Sequence, residues 1–269
     1  MLIAKSLPQL AGKAVVMKAI ILSAGQGSRL GALTHDRPKC LIEFAGRGLL
    51  DRQLDTLAAN GIDDVVVVTG FRDDQIEAAL VRRSGGPRVR TVFNPFYKVA
   101  DNLGSLFVAR HELDGDLLVW NGDTLVSDEL MRRVIADRDQ AGICVTIDRK
   151  DKYDDDDMKV ITDADGRLCA IGKRILDGVN AESIGLLAFR GDGAARFRDA
   201  IESAMRTSEG TTIWYLRVIH HLAQTSDVWT YDIAGEQWGE VDFPEDIAGA
   251  GALCTNWDAM RVKSEAEAA

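Results

Sequence analysis

The stretch Ala19-Ile20-Ile21-Leu22-Ser23-Ala24-Gly25-Gln26-Gly27-Ser28-Arg29-Leu30-Gly31 runs a continuous apolar segment straight into a turn of small residues. An unbroken apolar run of this length reads as a strand buried on both faces of a parallel sheet. Gly25 and Gly27 let the chain turn tightly and bring backbone N–H groups toward an anion with no Cβ in the way. Two well-known loops of this type do not fit. A dinucleotide-binding turn wants a small residue at its sixth position, where Leu30 stands. No GxxxxGK[ST] loop is present either.

Cations add to the loop. Arg29 lies inside it, and Arg37-Pro38-Lys39 follows shortly after. A diphosphate bridge can be held by backbone amides and a helix dipole. A triphosphate carries more charge and needs full cations. Pro38 restricts the backbone just before Lys39, which favours a set position for that amine.

Downstream, strands and helices alternate. Leu49 to Asn60 carries apolar residues at helical spacing and is stopped by Gly61; Val65 to Val68 reads as a second buried strand. An amphipathic stretch from Asp73 to Val81, a strand from Val89 to Phe93, a helix from Asn102 to Glu112 and a strand from Leu117 to Trp120 continue the pattern. Such β-α-β repetition implies a parallel sheet covered on both faces. The second half reads as strands at Ile143–Ile147, Val160–Thr162, Leu168–Ile171 and Ile184–Phe189, with helices at Ala194–Met205 and Thr212–Gln224. The expected architecture is one Rossmann-like α/β domain with a mixed, mainly parallel sheet, helices on both faces and an inserted strand-rich lobe. It spans 17–255, between an N-terminal extension, 1–16, and a C-terminal tail, 256–269.

Acidic residues occupy informative places. Leu117-Leu118-Val119-Trp120-Asn121-Gly122-Asp123 sets a carboxylate at the carboxyl end of a buried strand, the edge where open α/β sheets bind ligands. In Trp238-Gly239-Glu240-Val241-Asp242-Phe243-Pro244-Glu245-Asp246, Glu240 and Asp242 share one face of an extended chain. Pro244, Glu245 and Asp246 suit a helix start. Asp123 with Asp242, joined by Glu240, supplies the carboxylates that Mg²⁺ takes alongside phosphate oxygens and water.

Composition narrows the function classes. The 269 residues carry a formal net charge of −10 and no long basic stripe, which argues against nucleic-acid binding. Cys40, Cys144, Cys169 and Cys254 lie far apart, without zinc-site or disulfide spacing, and fit reduced thiols in a cytoplasmic protein. His220 and His221 are adjacent and diverge on a helix, so they cannot share a metal. No apolar run approaches the roughly 20 residues that span a bilayer.

The loop Ser23 to Leu30 with Arg37-Pro38-Lys39 resembles the signature of the nucleotidyltransferase superfamily that activates sugars and alcohols. Phe93-Asn94-Pro95-Phe96-Tyr97, Asp101 to Leu106, Asp156-Asp157-Met158-Lys159-Val160 and Ile171-Gly172-Lys173 are similar to its phosphocholine cytidylyltransferase branch. That resemblance implies CTP as donor and a small phosphate or phosphonate acceptor, such as phosphocholine or aminoethylphosphonate, with pyrophosphate released. It implies Leu22, Ala24, Gly25, Gly27, Ser28, Arg29, Lys39 and Gly122 around the nucleotide, and Asn102, Ser105 and Lys159 at the acceptor. Arg29, Lys39 and Lys159 would act on the reacting groups; Asp123, Asp242 and Glu240 would bind metal. Two departures bear on the acceptor. Trp214-Tyr215 is followed by Leu216-Arg217 rather than an acidic residue, and Asp101 stands where asparagine is common, so a smaller amine, an amino acid-like acceptor or another head group stays open beside choline. A sugar-1-phosphate nucleotidyltransferase and a non-catalytic nucleotide-sensing relative are the alternative readings.

Overall fold

The computed structural model describes residues 17–137 and 142–268; the expected extension, 1–16, lies outside the described residues. In chain order the strands and helices are β1 (Lys18–Leu22), β2 (Glu43–Phe44), β3 (Arg47–Gly48), α1 (Leu49–Ala59), β4 (Asp64–Thr69), α2 (Asp73–Arg82), β5 (Arg88–Phe93), α3 (Asn102–Val108), β6 (Leu117–Asn121) and β7 (Thr124–Val126). There follow α4 (Asp128–Ala136), β8 (Ile143–Asp148), β9 (Lys159–Thr162), β10 (Leu168–Ile171), β11 (Ala181–Phe189), α5 (Gly193–Met205), α6 (Tyr215–Thr225), β12 (Val228–Asp232), β13 (Trp238–Glu240) and α7 (Asp246–Ala268).

Alternation along the strands builds the layers. Ile20 of β1, Val66 and Val68 of β4 and Val119 of β6 point to one face and pack with α3, α5 and α6 through Leu103, Leu106, Phe197, Tyr215 and Ile219. Their neighbours Ala19, Ile21, Val65, Val67, Leu118 and Trp120 point to the other face and meet α1, α2 and α4 through Leu54, Leu57, Ile76, Leu130 and Val134. Both strand faces are therefore apolar, which is why β1 and β4 are continuous hydrophobic runs. Burying each such side chain stabilises the fold by roughly 1.5–3 kcal/mol.

The central sheet runs β10-β9-β11-β6-β1-β4-β5, with β8 on β11 and β12 on β8. β6, β1, β4 and β5 are parallel, so the turns after β1 and β6 open on the same edge. β11 is antiparallel to β6 from Leu186 to Phe189, bends at Gly185, and pairs Ala181 and Glu182 with β9. The β9–β10 pair thus projects past the carboxyl end of β6, directly beside the edge that holds Asp123. This is the inserted lobe expected from the sequence.

Several elements differ from expectation. The helix expected from Asn102 to Glu112 ends at Val108 and continues as a separate 3₁₀ turn, Arg110–Glu112. The helix expected from Thr212 begins at Tyr215, after an extended Trp214. β12, five residues long, was not anticipated, nor were the small ribbons β2–β3 and β7–β13, whose strands of two or three residues are too short to show a period. The boundary expected at 255 falls inside α7, which runs on to Ala268. Asp258 binds the Arg52 guanidinium at 2.9 Å through both oxygens, and Arg261 pairs with Asp128.

Candidate active site

The glycine loop leaves β1 at the carboxyl edge. Ser23 N donates to Val68 O and Phe71 N to Ala24 O, so the loop is tied to β4 on one side. Gly27 adopts φ 71°, and a Cβ there would stand 2.9 Å from the Lys39 Cβ. Only glycine lets the lysine stem pass under the loop at this distance. Leu30 N and the Thr34 hydroxyl both donate to Gly27 O. The N–H groups of Gly25, Gln26 and Gly27 find no acceptor among the described residues, which leaves them for an anion.

Opposite the loop, three carboxylates converge. The β7–β13 ribbon places Glu240 across from Thr124, and Val241 N donates to Asp123 O at 3.1 Å. Val241 is fully buried with Leu30, Ile42 and Leu49, which turns Glu240 and Asp242 together toward the cleft. Asp246, at the start of α7, accepts from Asp242 N and Phe243 N at 2.8 and 2.7 Å and sets the turn. Trp238 is tied by its indole N–H to Asp148 at 2.9 Å. Gly122 is forced by space: a Cβ would fall against the Leu22 carbonyl oxygen and 2.5 Å from Ser23 Oγ.

Oxygens of Asp123, Glu240 and Asp242 lie within 4.8 Å of one another. Asp123 Oδ1 is buried without a hydrogen-bond partner. An all-carboxylate set with an orphan oxygen suits a hard divalent cation. Lys39 donates to Asp123 Oδ2 and to Asp242 Oδ1, both at 2.7 Å. Burial opposes the charge on Lys39, but the two carboxylates outweigh it and hold the ammonium above its ordinary range. Burial also opposes ionisation of Asp242, and Lys39 overrides it, keeping that carboxyl below its usual value. Glu240 makes no ion pair among the described residues, and Lys39 and Lys173 reach it only as the weaker, lowering influences. Although its surface reaches solvent, crowding by protein and then the charges of Asp123 and Asp242 push its carboxyl well up.

Arg29 joins from the loop, its Nη1 3.1 Å from Asp242 Oδ2, with the guanidinium 5.3 Å from the Phe243 ring centroid. From the lobe, Asp156 Oδ1 lies 3.8 Å from Arg29 Nη1 and 3.5 Å from Lys173 Nζ. The Lys173 ammonium stands 5.3 Å from the Trp214 ring centroid, and its charge reaches Asp101, Glu240 and Asp242.

Of the residues expected at the site, Arg29, Lys39, Asp123, Glu240 and Asp242 are gathered around one cleft, with Leu22, Ala24, Gly25, Gly27, Ser28 and Gly122 forming its loop-side wall. Three others are engaged within the fold. Lys159 is 7% exposed, and its ammonium donates to the Lys173 carbonyl at 3.2 Å, so it braces the turn after β10. Ser105 is 5% exposed and accepts from Asn94 within the interior. Asn102 accepts from Tyr215 N and fixes the start of α6 against α3. Lys173 is the lobe cation facing the carboxylates. It stood within the quoted Ile171-Gly172-Lys173, but a lone lysine beside a glycine carries no signal of its position across the cleft. A separate cavity of about 730 Å³ behind the sheet, bordered by Trp120, Trp257 and Arg261, includes none of the three acids.

No helix among the described residues is long and apolar enough to cross a membrane. Among curated relatives, a CMP-5'-(3-aminopropyl)phosphonate synthase of Streptomyces rubellomurinus is 30% identical over 246 residues, covering 87% of this chain and 38% of that protein. A choline-phosphate cytidylyltransferase of Streptococcus pneumoniae is 26% identical over 239 residues, covering 86% and 95%. A bifunctional IPC transferase and DIPP synthase of Rubrobacter xylanophilus is 30% identical over 246 residues. There the alignment covers 90% of this chain but 52% of the relative. The chain therefore spans about half or less of two of these proteins. The solved CTP:phosphocholine cytidylyltransferase from Streptococcus pneumoniae shares the fold, with a TM-score of 0.73 at 22% identity over 89% of this chain and 100% of that one. Residues 19–209, from the buried first strand through the glycine loop, Asp123 and the lobe, match the MobA-like NTP transferase domain, and the chain belongs to that family.

Proposed function

We propose that this nucleotidyltransferase moves CMP from CTP to a small phosphate or phosphonate acceptor and releases pyrophosphate. The observation that carries the reading is the convergence of Lys39, Arg29 and three carboxylates beside a loop with unpaired N–H groups. Support for CTP and for the acceptor class comes from the relatives, whose names specify an aminopropylphosphonate product and phosphocholine.

In this reading the loop amides and Arg29 hold the outer phosphates, and Lys39 leaves its carboxylate contacts to meet the α-phosphate. An acceptor oxygen attacks the α-phosphorus, a new P–O bond forms, the bond to the bridging oxygen breaks, and pyrophosphate departs. A phosphate monoester is already largely ionised above a second pKa of about 6, so no general base is required. The obstacle is the approach of one anion to another, and Lys39 and Lys173 lower it by neutralising the reacting oxygens. Asp123, Asp242 and Glu240 would hold Mg²⁺, which when bound screens the phosphate oxygens.

The test is pyrophosphate release across the common nucleoside triphosphates with phosphocholine, aminoethylphosphonate, phosphoethanolamine and sugar 1-phosphates. Release with CTP and a phosphate or phosphonate acceptor is expected. Release with sugar 1-phosphates alone would replace the acceptor class, and no release with any pair would favour a nucleotide sensor.

A further inference from the structure

The acceptor side of the cleft contains a charged arrangement that nucleotide handling leaves unused. The Lys173 ammonium sits between a carboxylate, Asp156, at 3.5 Å and the face of Trp214 at 5.3 Å from its ring centroid. Asp101, at the head of α3, accepts from Asn102 N at 2.7 Å; burial raises its carboxyl, while that N–H, the Lys173 charge and the Trp214 side chain act in the opposite sense. Lys173 is held loosely here. Its nearest carboxylate oxygen lies at the outer limit of hydrogen bonding, and its side chain is 21% exposed. The same ammonium is felt by Glu240 and Asp242, so it lies between the metal-type cluster and this pocket.

We propose that the space now filled by the Lys173 ammonium, bounded by Asp101, Asp156 and Trp214, is the binding place for a primary ammonium group on the acceptor. The inference rests on the nucleotidyltransferase reading above and adds the acceptor's second functional group. An acceptor phosphate or phosphonate entering beside the carboxylates draws Lys173 toward it. That movement takes the nearer of two cations from Asp156 and the ammonium from the Trp214 face, and a zwitterionic acceptor replaces it with its own. The exchange keeps both ends of the acceptor paired, whereas an acceptor without an amine would leave Asp156 with Arg29 alone, 3.8 Å away, and Asp101 with the Asn102 N–H and the Trp214 side chain.

The same geometry discriminates among amines. A quaternary ammonium donates no hydrogen bond and is held by several aromatic faces at once. This pocket offers one ring and two acceptor carboxylates, which reward the N–H donors of a primary ammonium.

The experiment uses the full chain with CTP and Mg²⁺ and compares kcat/KM for 2-aminoethylphosphonate, its N-trimethyl derivative and ethylphosphonate. The primary amine is expected to exceed both by tenfold or more. Asp156→Asn and Asp101→Asn should each pull the ratio of 2-aminoethylphosphonate to ethylphosphonate toward one. Asparagine at 101 keeps the helix cap, so folding is preserved. A purely structural role for these acids would lower both acceptors alike and leave the ratio in place, overturning the proposal. Turnover with the trimethyl compound or ethylphosphonate equal to the primary amine also overturns it, while the transferase reading stands. Silence with every triphosphate and acceptor overturns both.

Discussion

Lys39 Nζ and Asp242 Oδ1 lie 2.7 Å apart although 203 residues separate them in the chain, and the same ammonium touches Asp123. A single positive charge thus stands between the two acids that would take a divalent cation. In the proposed function Lys39 would therefore compete with metal until a triphosphate drew it away. Lys39→Met is expected to tighten Mn²⁺ binding in the absence of nucleotide by about threefold to tenfold, because it removes a repelling charge within contact distance. Turnover should fall by about 10²–10³ in the same variant. Titration of Mn²⁺ by calorimetry, set beside pyrophosphate release, separates the two effects; unchanged or weaker Mn²⁺ binding would count against the competition.

Asp123→Asn keeps the shape of the side chain and removes half of the counter-charge to Lys39. Loss of turnover with a circular dichroism spectrum like that of the parent is expected. Full activity in this variant would remove Asp123 from the mechanism.

Glu182, on β11 at the base of the lobe, gives a test of the electrostatics away from the reacting groups. Burial lifts its carboxyl to about 7; Lys150 pulls it down and Asp157 pushes it up. Lys150 bridges the two acids at 2.9 Å to Glu182 and 2.8 Å to Asp157. Because the folded value lies above the unfolded one, the native state holds the proton more tightly, and this group's stabilising contribution fades as pH rises from about 4.5 toward 7. Glu182→Gln lacks that titration. Its stability relative to the parent should climb by roughly 2 kcal/mol across the window and then level off. Parallel denaturation curves at every pH would refute the assignment.

Asp258→Ala tests whether α7 belongs to the folded unit. The substitution strips Arg52, 6% exposed, of a two-oxygen partner and leaves a buried guanidinium with the Phe44 carbonyl alone. Asp258 is partly open to solvent, so the expected cost is about 1–3 kcal/mol rather than the full penalty of a broken buried pair. Chemical denaturation measures it, and a loss below about 0.5 kcal/mol would mark the segment as dispensable.

The parallel core was legible because β1, β4 and β6 are buried on both faces and cannot avoid continuous apolar composition. The glycine loop was legible because Gly27 answers a steric demand from Lys39, and Asp123 because it follows a strand on its ligand edge. Lys159 and Lys173 show where reading stopped. Lys159 opens β9 and Lys173 follows β10 as single lysines, and only the path of the turn between β10 and β11 decides which ammonium faces the carboxylates. Ser105 and Asn102 lie in a stretch resembling a known branch, yet their side chains are engaged by Asn94 and Tyr215 from elsewhere in the chain. The continuation of α7 was hidden because the pairs that hold it join residues about 130 to 200 positions apart.

The bend of β11 at Gly185 joins two jobs on one ribbon. Beyond the kink the strand backs Trp120 of β6; before it, the strand pairs with β9 of the lobe, which in the proposed function would form the acceptor wall. Changes of acceptor taste can therefore accumulate in the loops that hang from β9 and β10 without disturbing phosphate chemistry. Reorienting the wall as a whole is a different matter, since it would twist the strand that abuts β6, the strand leading to Asp123. Diversity in such a scaffold should consequently arise by redecorating its rim rather than by rehinging it.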